Sequence, residues 1–510
     1  MAPPRWLFWH RRDLRLGDNL GLAAAATATP ALTGVFVLDP ALLEANPAPA
    51  RLWFLAESLK ELADRWRAAG SRLLLLQGEP ERELPRLAEA LGAEVVAWNR
   101  DVEPRARERD RRVAAALQAA GRRVLVDWDQ LLVAPEALAT GSGDPYRVYG
   151  PFLRNWLGQV ENKQGLALSA ALGGLEPVAA PANLLDLDPH ALPADRRTLW
   201  DRLPLLEAVP EANELGPAFA GAPLCPCRPG EAAATDQLEA FADRGLAGGG
   251  AGQGAPLLTY EIGRNLPAES GTSGLSAALA FGTLSPRQAW AAAQEARAIA
   301  EAMGRGVEAL QSITVWEQEL AWREFYQQAL FHFPELAQGP FRARWRSFPW
   351  ENHQGRYEAW CEGLTGVPIV DAAMRQLNGS GWMHNRCRMI VASFLVKDLV
   401  CDWRWGEAAF MARLVDGDLS ANNGGWQWSA SSGMDPRPLR IFNPASQAAK
   451  FDPEATYIRT WLPELRHVAT SDLISGSIAP MERRGYPAAI VDHRQQQALF
   501  KALYASLPKE

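Results

Sequence analysis

One stretch near the middle of the chain combines a carboxylate, an indole, a guanidinium and a phenol at helical spacing. At 3.6 residues per turn Glu319, Trp322, Arg323 and Tyr326 fall on one face. Burying such a mixture is costly unless each polar group finds a partner. The spacing leaves two alternatives open. One is a surface helix with an i,i+4 pair between Glu319 and Arg323, and the other is a site that stacks a flat ring on Trp322 and hydrogen-bonds it through Glu319.

A second set of polar groups lies in the segment Gly381-Trp-Met-His-Asn-Arg-Cys-Arg-Met389. Asn385, Arg388 and Met389 share a helix face there, which places an amide, a cation and a soft apolar group together. His384 is interpreted as a structural histidine. No second histidine lies nearby in the sequence, and we therefore predict no metal site.

A third segment, from Asp416 to Trp428, is rich in glycine and asparagine, and this composition predicts a polar loop rather than a helix. Asp416, Asp418 and Asn422 could grip a heterocycle by accepting from its N–H groups. A calcium loop is the alternative, but the spacing misses the EF-hand pattern. Upstream, residues 271–276 offer hydroxyls and backbone donors suited to an anion, or else form an ordinary helix start.

Composition limits the classes of protein to which the chain can belong. Its 510 residues are 48% hydrophobic and have a formal net charge of −7, which suits two to four globular domains. The five cysteines give neither a disulfide framework nor a zinc site, so we expect a reducing compartment. No strongly apolar span reaches 18 residues, and we predict no signal or membrane segment. The acidic total does not exclude nucleic acid, because a local basic patch can bind it.

The elements that must position these residues change character along the chain. Residues 1–134 alternate short apolar runs with helical segments such as Arg51 to Ala69, which predicts a doubly wound parallel sheet. The turn after the first strand lacks the G-x-G-x-x-G pattern, so the ligand of this sheet need not be a dinucleotide. The predicted strands are Trp6 to Trp9, Val35 to Leu38, Leu73 to Leu76, Val95 to Trp98 and Val124 to Val126.

Periodicity fades over residues 135–234, which we interpret as a long interdomain linker, and a glycine-rich insert follows at 248–254. Residues 235–510 are predicted to form a helical domain. Ser285 and Pro286 give the N-cap and first turn of a helix over Arg287 to Met303. Eleven of the 20 tryptophans lie between Trp290 and Trp428, inside this domain.

Taken in order, these motifs resemble the photolyase and cryptochrome family from Trp6 to about Tyr504. The resemblance is greatest to class I cyclobutane pyrimidine dimer photolyases of the deazaflavin-antenna type. It rests on Trp9 to Leu16, Gly271 to Ser276, Trp322 to Tyr326, Pro368 to Arg375, Trp382 to Arg386 and Asp416 to Trp428.

The resemblance implies an α/β antenna domain joined through the linker to an all-α FAD-binding domain. It also implies light-driven repair of dimers in DNA by electron transfer from excited, reduced FAD. In family terms, Asn422 faces the flavin N5 position. The residues matching the FAD site are Tyr260, Thr272, Ser273, Leu275, Ser276, Trp316, Arg323, Arg388, Asp416, Asp418 and Asn422.

Other family positions concern DNA, electron transfer and the antenna. The tryptophan relay to the flavin matches Trp426, Trp403 and Trp350. Trp405, beside Trp403, is either an alternative electron stop or a cover for apolar surface, and we expect the latter. The antenna, 8-hydroxy-5-deazaflavin, matches Asp39, Arg51, Asp101 and Arg109, while methenyltetrahydrofolate is the alternative and would suit Glu103. The dimer pocket and DNA contacts match Glu319, Trp322, Asn385, Arg386, Met389, Trp428, Arg437 and Arg440.

Two relatives compete with dimer repair. Working histidines of (6-4) photolyases are replaced here by Asn385 and Met389, which cannot supply acid chemistry. A cryptochrome-type blue-light receptor is the other alternative, although plant cryptochromes tend to place Asp where this chain has Asn422. We further expect a monomer without an obligate protein partner or membrane, located in the cytoplasm with the nucleoid.

Overall fold

Five apolar runs of the first 130 residues form the parallel strands of one sheet, as predicted. A computed structural model describes residues 3–44, 47–161, 175–242, 255–434 and 439–508. The predicted glycine-rich insert and Arg437 lie outside these residues. The strands are β1 (Trp6–His10), β2 (Leu32–Leu38), β3 (Leu73–Gln77), β4 (Val95–Asn99), β5 (Arg123–Asp127) and β6 (Leu205–Leu206).

The sheet has the order β5-β4-β1-β2-β3-β6, so β1 lies between β4 and β2. The chain adds β2 and β3 on one side of β1 and then β4 and β5 on the other, so the order of strands reverses between β1 and β4. The carboxyl ends of β1 and β4 therefore lie side by side, at the position where doubly wound sheets bind ligands. The described residues of the predicted linker, 135–234, include regular elements. They supply β6, which pairs antiparallel with β3 through Leu75 and Leu206.

Helices cover the sheet and build the rest of the chain, and no strand occurs among the described residues after β6. The helices are α1 (Leu20–Ala28), α2 (Pro40–Glu44), α3 (Pro49–Ala68), α4 (Pro80–Leu91), α5 (Pro104–Ala119), α6 (Tyr149–Glu161), α7 (Ala194–Trp200), α8 (Ala212–Leu215), α9 (Glu231–Ala242), α10 (Tyr260–Gly263), α11 (Ser276–Phe281), α12 (Pro286–Ala302), α13 (Val307–His332), α14 (Gln354–Glu362), α15 (Pro368–Ser380), α16 (Asn385–Lys397), α17 (Trp403–Met411), α18 (Leu419–Ala430), α19 (Pro444–Phe451), α20 (Thr456–Trp461), α21 (Thr470–Ser475) and α22 (His493–Ser506).

Capping signals in the sequence set several of these boundaries. Ser285 caps α12 by accepting from the Gln288 N–H, and the Gln288 side chain bonds back to the Ser285 N–H, which completes a capping box. Pro286 occupies the first helical position, where its missing N–H costs nothing. The predicted helix start is therefore confirmed.

The predicted polar loop after Asp416 is wrong, because residues 419–430 form helix α18. Asp418 is its N-cap and accepts from the Ala421 N–H. Gly424 lies where a Cβ would come within 2.1 Å of the Tyr326 ring, so its lack of a side chain lets α18 approach α13 closely. Tertiary packing thus outweighs the low helix propensity of the asparagines and glycines.

A buried cluster of charges joins the two domains. Arg287 on α12 pairs with Asp18 (3.1 Å) and Asp129 (2.9 Å), and Arg15 pairs with Asp129 at 2.6 Å. All four side chains are 1% exposed. Two cations and two anions balance here, and backbone carbonyls of Asp18 and Gly282 accept further guanidinium bonds. The cluster fixes the sheet against the helical domain, because separating them would leave unpaired buried charges.

The largest apolar core of the helical domain lies around α15 and α16, and it includes the buried rings of Trp360, Trp403 and Trp426. A second core packs α6, α12 and α13 around Trp156, Trp290 and Phe325. Within the described residues, no helix is both long and apolar enough to span a bilayer.

Candidate active site

Helix α18 is held at its start by an arginine from the other domain. Arg12, in the turn after β1, donates to Asp418 and to Glu103 (2.7 Å), and its Nε donates to the Ala280 carbonyl at 3.0 Å. Burial alone would raise the pKa of Asp418, but the charge of Arg12 and the bond from the Ala421 N–H outweigh it and lower this pKa. Asp418 is therefore ionised at neutral pH.

Asp416 forms the second charged pair at this site. Arg388 on α16 donates to Asp416 Oδ2 at 2.8 Å and to the Met383 carbonyl at 2.8 Å. The other oxygen, Asp416 Oδ1, is buried and has no hydrogen-bond partner among the described residues. Orphaned buried acceptors are rare in native proteins. A ring N–H of a bound flavin would donate to Asp416 Oδ1, so the residues of this site fit FAD.

Asn422, one turn into α18, has a fixed orientation. Its Nδ2 donates to the Glu407 carbonyl at 3.0 Å, which directs the Oδ1 atom away from α17. The Glu407 side chain accepts from Asn423 Nδ2 at 2.8 Å. Burial raises the pKa of Glu407 to about 7, although the Asn423 bond and Arg404 oppose the shift. An amide held in this way can present a carbonyl oxygen to a protonated ring nitrogen.

The i,i+4 pair between Glu319 and Arg323, one of the two alternatives left open by the spacing, does not form. Glu319 instead accepts from Arg264 at 2.5 Å, and Arg323 donates to the carbonyls of Gln130 (2.8 Å) and Leu279 (3.2 Å). Burial lowers the pKa of Arg323, with Asp418 and Glu324 opposing. Arg323 thus faces the domain junction near Asp418, whereas Glu319 remains a third exposed.

Aromatic rings and small residues line the region assigned to the rest of FAD. Phe241 contacts both Tyr260 (5.8 Å) and Trp316 (5.3 Å) between ring centroids. The residues Thr272, Ser273, Leu275 and Ser276 precede or begin α11. Gly271 and Gly263 pack so closely that a Cβ on Gly271 would lie 2.4 Å from the Gly263 carbonyl. Thr272 and Ser273, which follow Gly271, are partly exposed.

Trp322 and Trp428 line one cavity of about 430 Å³ between α13 and α18. Tyr149, at the start of α6, stacks on Trp322 with a centroid distance of 3.4 Å and an angle of 6°. Arg440 also lines this cavity and lies 6.0 Å from the Trp428 ring. Met389 instead lines a smaller neighbouring cavity with Trp428. Glu319 and Asn385 line neither.

The segment that begins α16 is capped by a neutral histidine. His384 Nδ1 accepts from the Arg386 N–H at 3.1 Å, and the ring is 1% exposed. Burial, with the charges of Arg386 and Arg388, lowers the pKa of His384 to about 4. Asn385 follows as an exposed residue, and Arg386 donates to Asn265 and stacks over Phe451 at 4.2 Å. The interpretation of His384 as structural agrees with this capping role.

The three tryptophans predicted to relay electrons differ in exposure. Trp426 and Trp403 are each 2% exposed, whereas Trp350 is only partly buried. Gly406, one turn after Trp403 on α17, has no Cβ, and one built there would lie 2.1 Å from the Trp426 ring. Trp426 therefore packs directly on α17. Trp350 contacts Phe348 (4.2 Å) and Trp345 (6.0 Å) near the surface.

Of the residues predicted for an antenna, only some come together. Asp101 and Glu103 follow β4 and face Arg12, at 4.0 and 2.7 Å. The Cδ atom of Arg51, on α3, lies 3.5 Å from the position that a Cβ atom on Gly417 would occupy. Arg109 sits over the Trp9 ring at 4.9 Å and pairs with Asp110.

Asp39, the remaining antenna residue, caps the turn after β2 by accepting from the Ala41 N–H at 3.0 Å. Within the part of the chain that the structure describes, no hydrogen bond or ion pair joins it to the other predicted antenna residues. Burial raises the pKa of Glu103 to about 7, although Arg12 opposes the shift.

Sequence reasoning missed Arg12, Glu407 and Tyr149 as parts of the site. Arg12 lies in the motif from Trp9 to Leu16. Its position directly after the first strand could have indicated a role in the site, because ligands bind at that edge of the sheet. Glu407 and Tyr149 act through a backbone carbonyl and a ring face, and their own sequence context carries no signal for either.

Comparison with known proteins decides the family. Residues 6–173 match a family model described as DNA photolyase, and residues 316–506 match one described as the FAD binding domain of DNA photolyase. A deoxyribodipyrimidine photo-lyase of Synechococcus sp. is 56% identical over 508 residues, covering 99% of this chain and 97% of that protein. The chain belongs to the DNA photolyase family.

Solved structures of a photolyase and a cryptochrome share the whole fold. A bacterial class III photolyase from Agrobacterium tumefaciens has a TM-score of 0.84 and 35% identity, covering 99% of this chain and 98% of that one. A Synechocystis cryptochrome has a TM-score of 0.82 and 28% identity, covering 99% of each chain. Like the photolyases it resembles, this FAD-dependent enzyme uses light to repair cyclobutane pyrimidine dimers in DNA.

Replacing Arg12 should make photolyase stability strongly dependent on pH. In Arg12→Gln, burial is no longer offset, so the pKa values of Asp418 and Glu103 rise, and both carboxylates are costly where they stay ionised. We expect a loss of about 3 kcal/mol in unfolding free energy at pH 8, shrinking as the pH falls toward 4 and the carboxylates gain protons.

Urea unfolding of the wild type, Arg12→Gln and Arg12→Lys at both pH values measures this effect. Arg12→Lys keeps the charge and should recover part of the loss at pH 8. A loss for Arg12→Gln that is equal at the two pH values would show that Arg12 does not control these carboxylates.

Proposed function

We propose that the flipped dimer binds between Trp322 and Trp428. The flavin that repairs it binds beside Asp418 and Asn422, at the start of α18. The observation that supports this assignment is the cavity of about 430 Å³ with both indoles in its walls. Stacking on aromatic rings is tolerant of base identity and suits a dimer that has lost normal stacking. The family resemblance adds Glu319, Asn385 and Met389 to the lesion site, and of these Met389 lines the smaller cavity beside Trp428.

Bound FAD supplies the electron that splits the cyclobutane ring. The protein's own contribution is electrostatic and orienting. Arg388 and Arg323 place positive charge near Asp416 and Asp418, which favours an anionic reduced ring over a neutral one. Asn422 adds a hydrogen-bond acceptor without a further negative charge, since its Nδ2 is already used by Glu407. Tyr260, Trp316, Leu275 and the hydroxyls of Thr272, Ser273 and Ser276 hold the remaining parts of the cofactor.

Illumination of reduced enzyme with oligothymidine bearing a cyclobutane dimer tests the assignment, with a (6-4) lesion as the second substrate. We expect repair of the dimer alone, in single and double strands. His384 is neutral and its Nδ1 atom caps α16, so it offers no acid for (6-4) chemistry. Repair of the (6-4) lesion alone would overturn the assignment. Light-dependent partner binding without repair would favour the cryptochrome alternative.

DNA phosphates are proposed to bind Arg386, Arg437 and Arg440, despite the net charge of −7. Arg440 is exposed at the cavity rim, and Arg386 lies at the start of α16. We therefore expect affinity for dimer-bearing DNA to fall steeply with salt, with a log–log slope of about −0.9 per duplex phosphate contact. Titrations from low to high salt measure that slope. Constant affinity would show that these arginines do not contact phosphate.

The antenna is proposed to be 8-hydroxy-5-deazaflavin, bound beside the carboxyl end of β4. Asp101, Arg51 and Arg109 offer charged and planar partners there, and Asp39 lies at the end of β2. Reconstitution of the holoenzyme with deazaflavin or methenyltetrahydrofolate, followed by excitation of each antenna, tests the choice. Energy transfer to FAD from folate alone would identify folate as the antenna and Glu103 as the main residue that binds it.

We further propose that the enzyme acts as a monomer in the cytoplasm, in association with the nucleoid and without an obligate protein partner or a membrane. Arginine pairs at the domain junction already satisfy the charges that join its two domains. Light scattering of the holoenzyme at working concentration measures the oligomeric state.

A further inference from the structure

Lys397 is a buried lysine that repair chemistry does not use. It is the last residue of α16 and is 3% exposed. Its Nζ donates to the Arg440 carbonyl, and no carboxylate of the described residues forms a salt bridge with it. Burial lowers the pKa of Lys397 to about 7, although the charge of Asp398 opposes the shift. A buried amine of this kind costs folding free energy that an apolar side chain would avoid.

The lysine is one of three residues on a single face of α16. Met389, Ser393 and Lys397 follow each other at intervals of four, so they line up along the helix. Ser393 Oγ accepts from the Phe442 N–H at 3.3 Å. The backbone of residues 440–442 is therefore attached to this face at two points, by Lys397 at one end and Ser393 at the other.

The attached segment borders the lesion cavity. Arg440 is exposed, with its Cζ 6.0 Å from the Trp428 ring, and the Phe442 ring lies 6.5 Å from the same indole. Lys397 and Trp428 also line one small cavity together. Movement of the 440 backbone would consequently change where the Arg440 guanidinium lies relative to Trp428.

We propose that Lys397 is a positioning residue for DNA recognition, which holds the Arg440 backbone against α16 so that the guanidinium meets a phosphate beside the flipped dimer. This inference rests on the proposed contact between Arg440 and DNA. Lys397 acts through Arg440 and touches neither lesion nor cofactor. Its loss affects DNA affinity and leaves the flavin site unchanged.

A double-mutant cycle on the FAD-loaded enzyme tests the proposal. The affinity for dimer-bearing oligothymidine is titrated over a range of salt for Lys397→Met, Arg440→Ala and the double variant. Arg440→Ala should weaken binding and make the salt slope shallower by about 1, as expected for one lost phosphate contact. Lys397→Met should reproduce this slope change although it is buried. The double variant should bind no more weakly than Arg440→Ala alone.

Several outcomes would overturn the proposal. Additive losses in the double variant, or a salt slope unchanged by Lys397→Met, would show that Lys397 does not act through Arg440. An unaltered affinity in Arg440→Ala would remove the Arg440 contact itself, which distinguishes failure of the DNA assignment from failure of the lysine's role.

A second measurement covers the case in which Lys397→Met does not fold. Lys397→Gln has a side chain one bond shorter than lysine and lacks the charge, so its bond to the Arg440 carbonyl is weakened or lost. The Phe442 amide donates to Ser393 on the same face, and its hydrogen exchange reports on how firmly residues 440–442 are attached to α16. We expect faster exchange in Lys397→Gln than in the wild type, with an unchanged flavin spectrum and photoreduction. Exchange at the wild-type rate would overturn the proposal.

Discussion

Trp426→Phe should abolish photoreduction of oxidised FAD while leaving repair by chemically reduced enzyme close to the wild-type rate. Trp426 packs against Phe410 (5.0 Å), Trp360 (6.1 Å) and the backbone of α17, and it is 2% exposed. Phenylalanine preserves most of this packing but is far harder to oxidise than indole. The substitution therefore removes an electron donor rather than a structural support.

Flavin photoreduction under blue light and repair after dithionite reduction are measured separately. Trp405→Phe is the matched control, since Trp405 lies two residues from Trp403 and packs edge-on against Tyr357 at 5.0 Å. We expect Trp405→Phe to photoreduce normally. Normal photoreduction in Trp426→Phe would remove Trp426 from the relay, whereas loss of both activities would identify it as a packing residue alone.

Trp428→Ala should weaken binding of dimer-bearing DNA by about 1–3 kcal/mol, which is roughly 5- to 150-fold in Kd. The indole is half-buried and lines the cavity of about 430 Å³ together with Trp322. Undamaged DNA presents no flipped dimer. Its affinity should consequently change little.

Trp428→Phe provides the control, because a smaller ring still stacks and should recover much of the affinity. Photoreduction reports whether the flavin site is intact in each variant. An equal loss for damaged and undamaged DNA would contradict the stacking role and indicate that Trp428 supports the surface as a whole.

Much of the fold could be predicted because its signals are local. Runs such as Val95 to Trp98 and caps such as Ser285 act over a few residues, where hydrophobic periodicity and backbone hydrogen bonding dominate. The β6 edge strand escaped prediction because two residues carry no periodicity. Its pairing depends on the tertiary structure, which places β3 and its residue Leu75 next to β6.

Helix α18 shows where local signals fail. Its asparagines and glycines cost helix propensity, each glycine by roughly 1 kcal/mol relative to alanine. Close packing of Gly424 against Tyr326 and the Asp418 cap offset that cost. Neither contribution is visible in the segment itself, since Tyr326 lies on another helix.

The chemical types at the site and the order of the motifs that contain them can be read from the amino-acid sequence. The pairing of these groups depends on the tertiary structure. Arg12 reaches Asp418 across 406 positions of sequence, and Glu319 pairs with Arg264 rather than with Arg323 on its own helix. Helical spacing offers a neighbour at i+4, but a pair at the surface of a single helix is worth only a few tenths of a kcal/mol. Tertiary packing brings other partners closer at lower dielectric, where the interaction between charges is stronger.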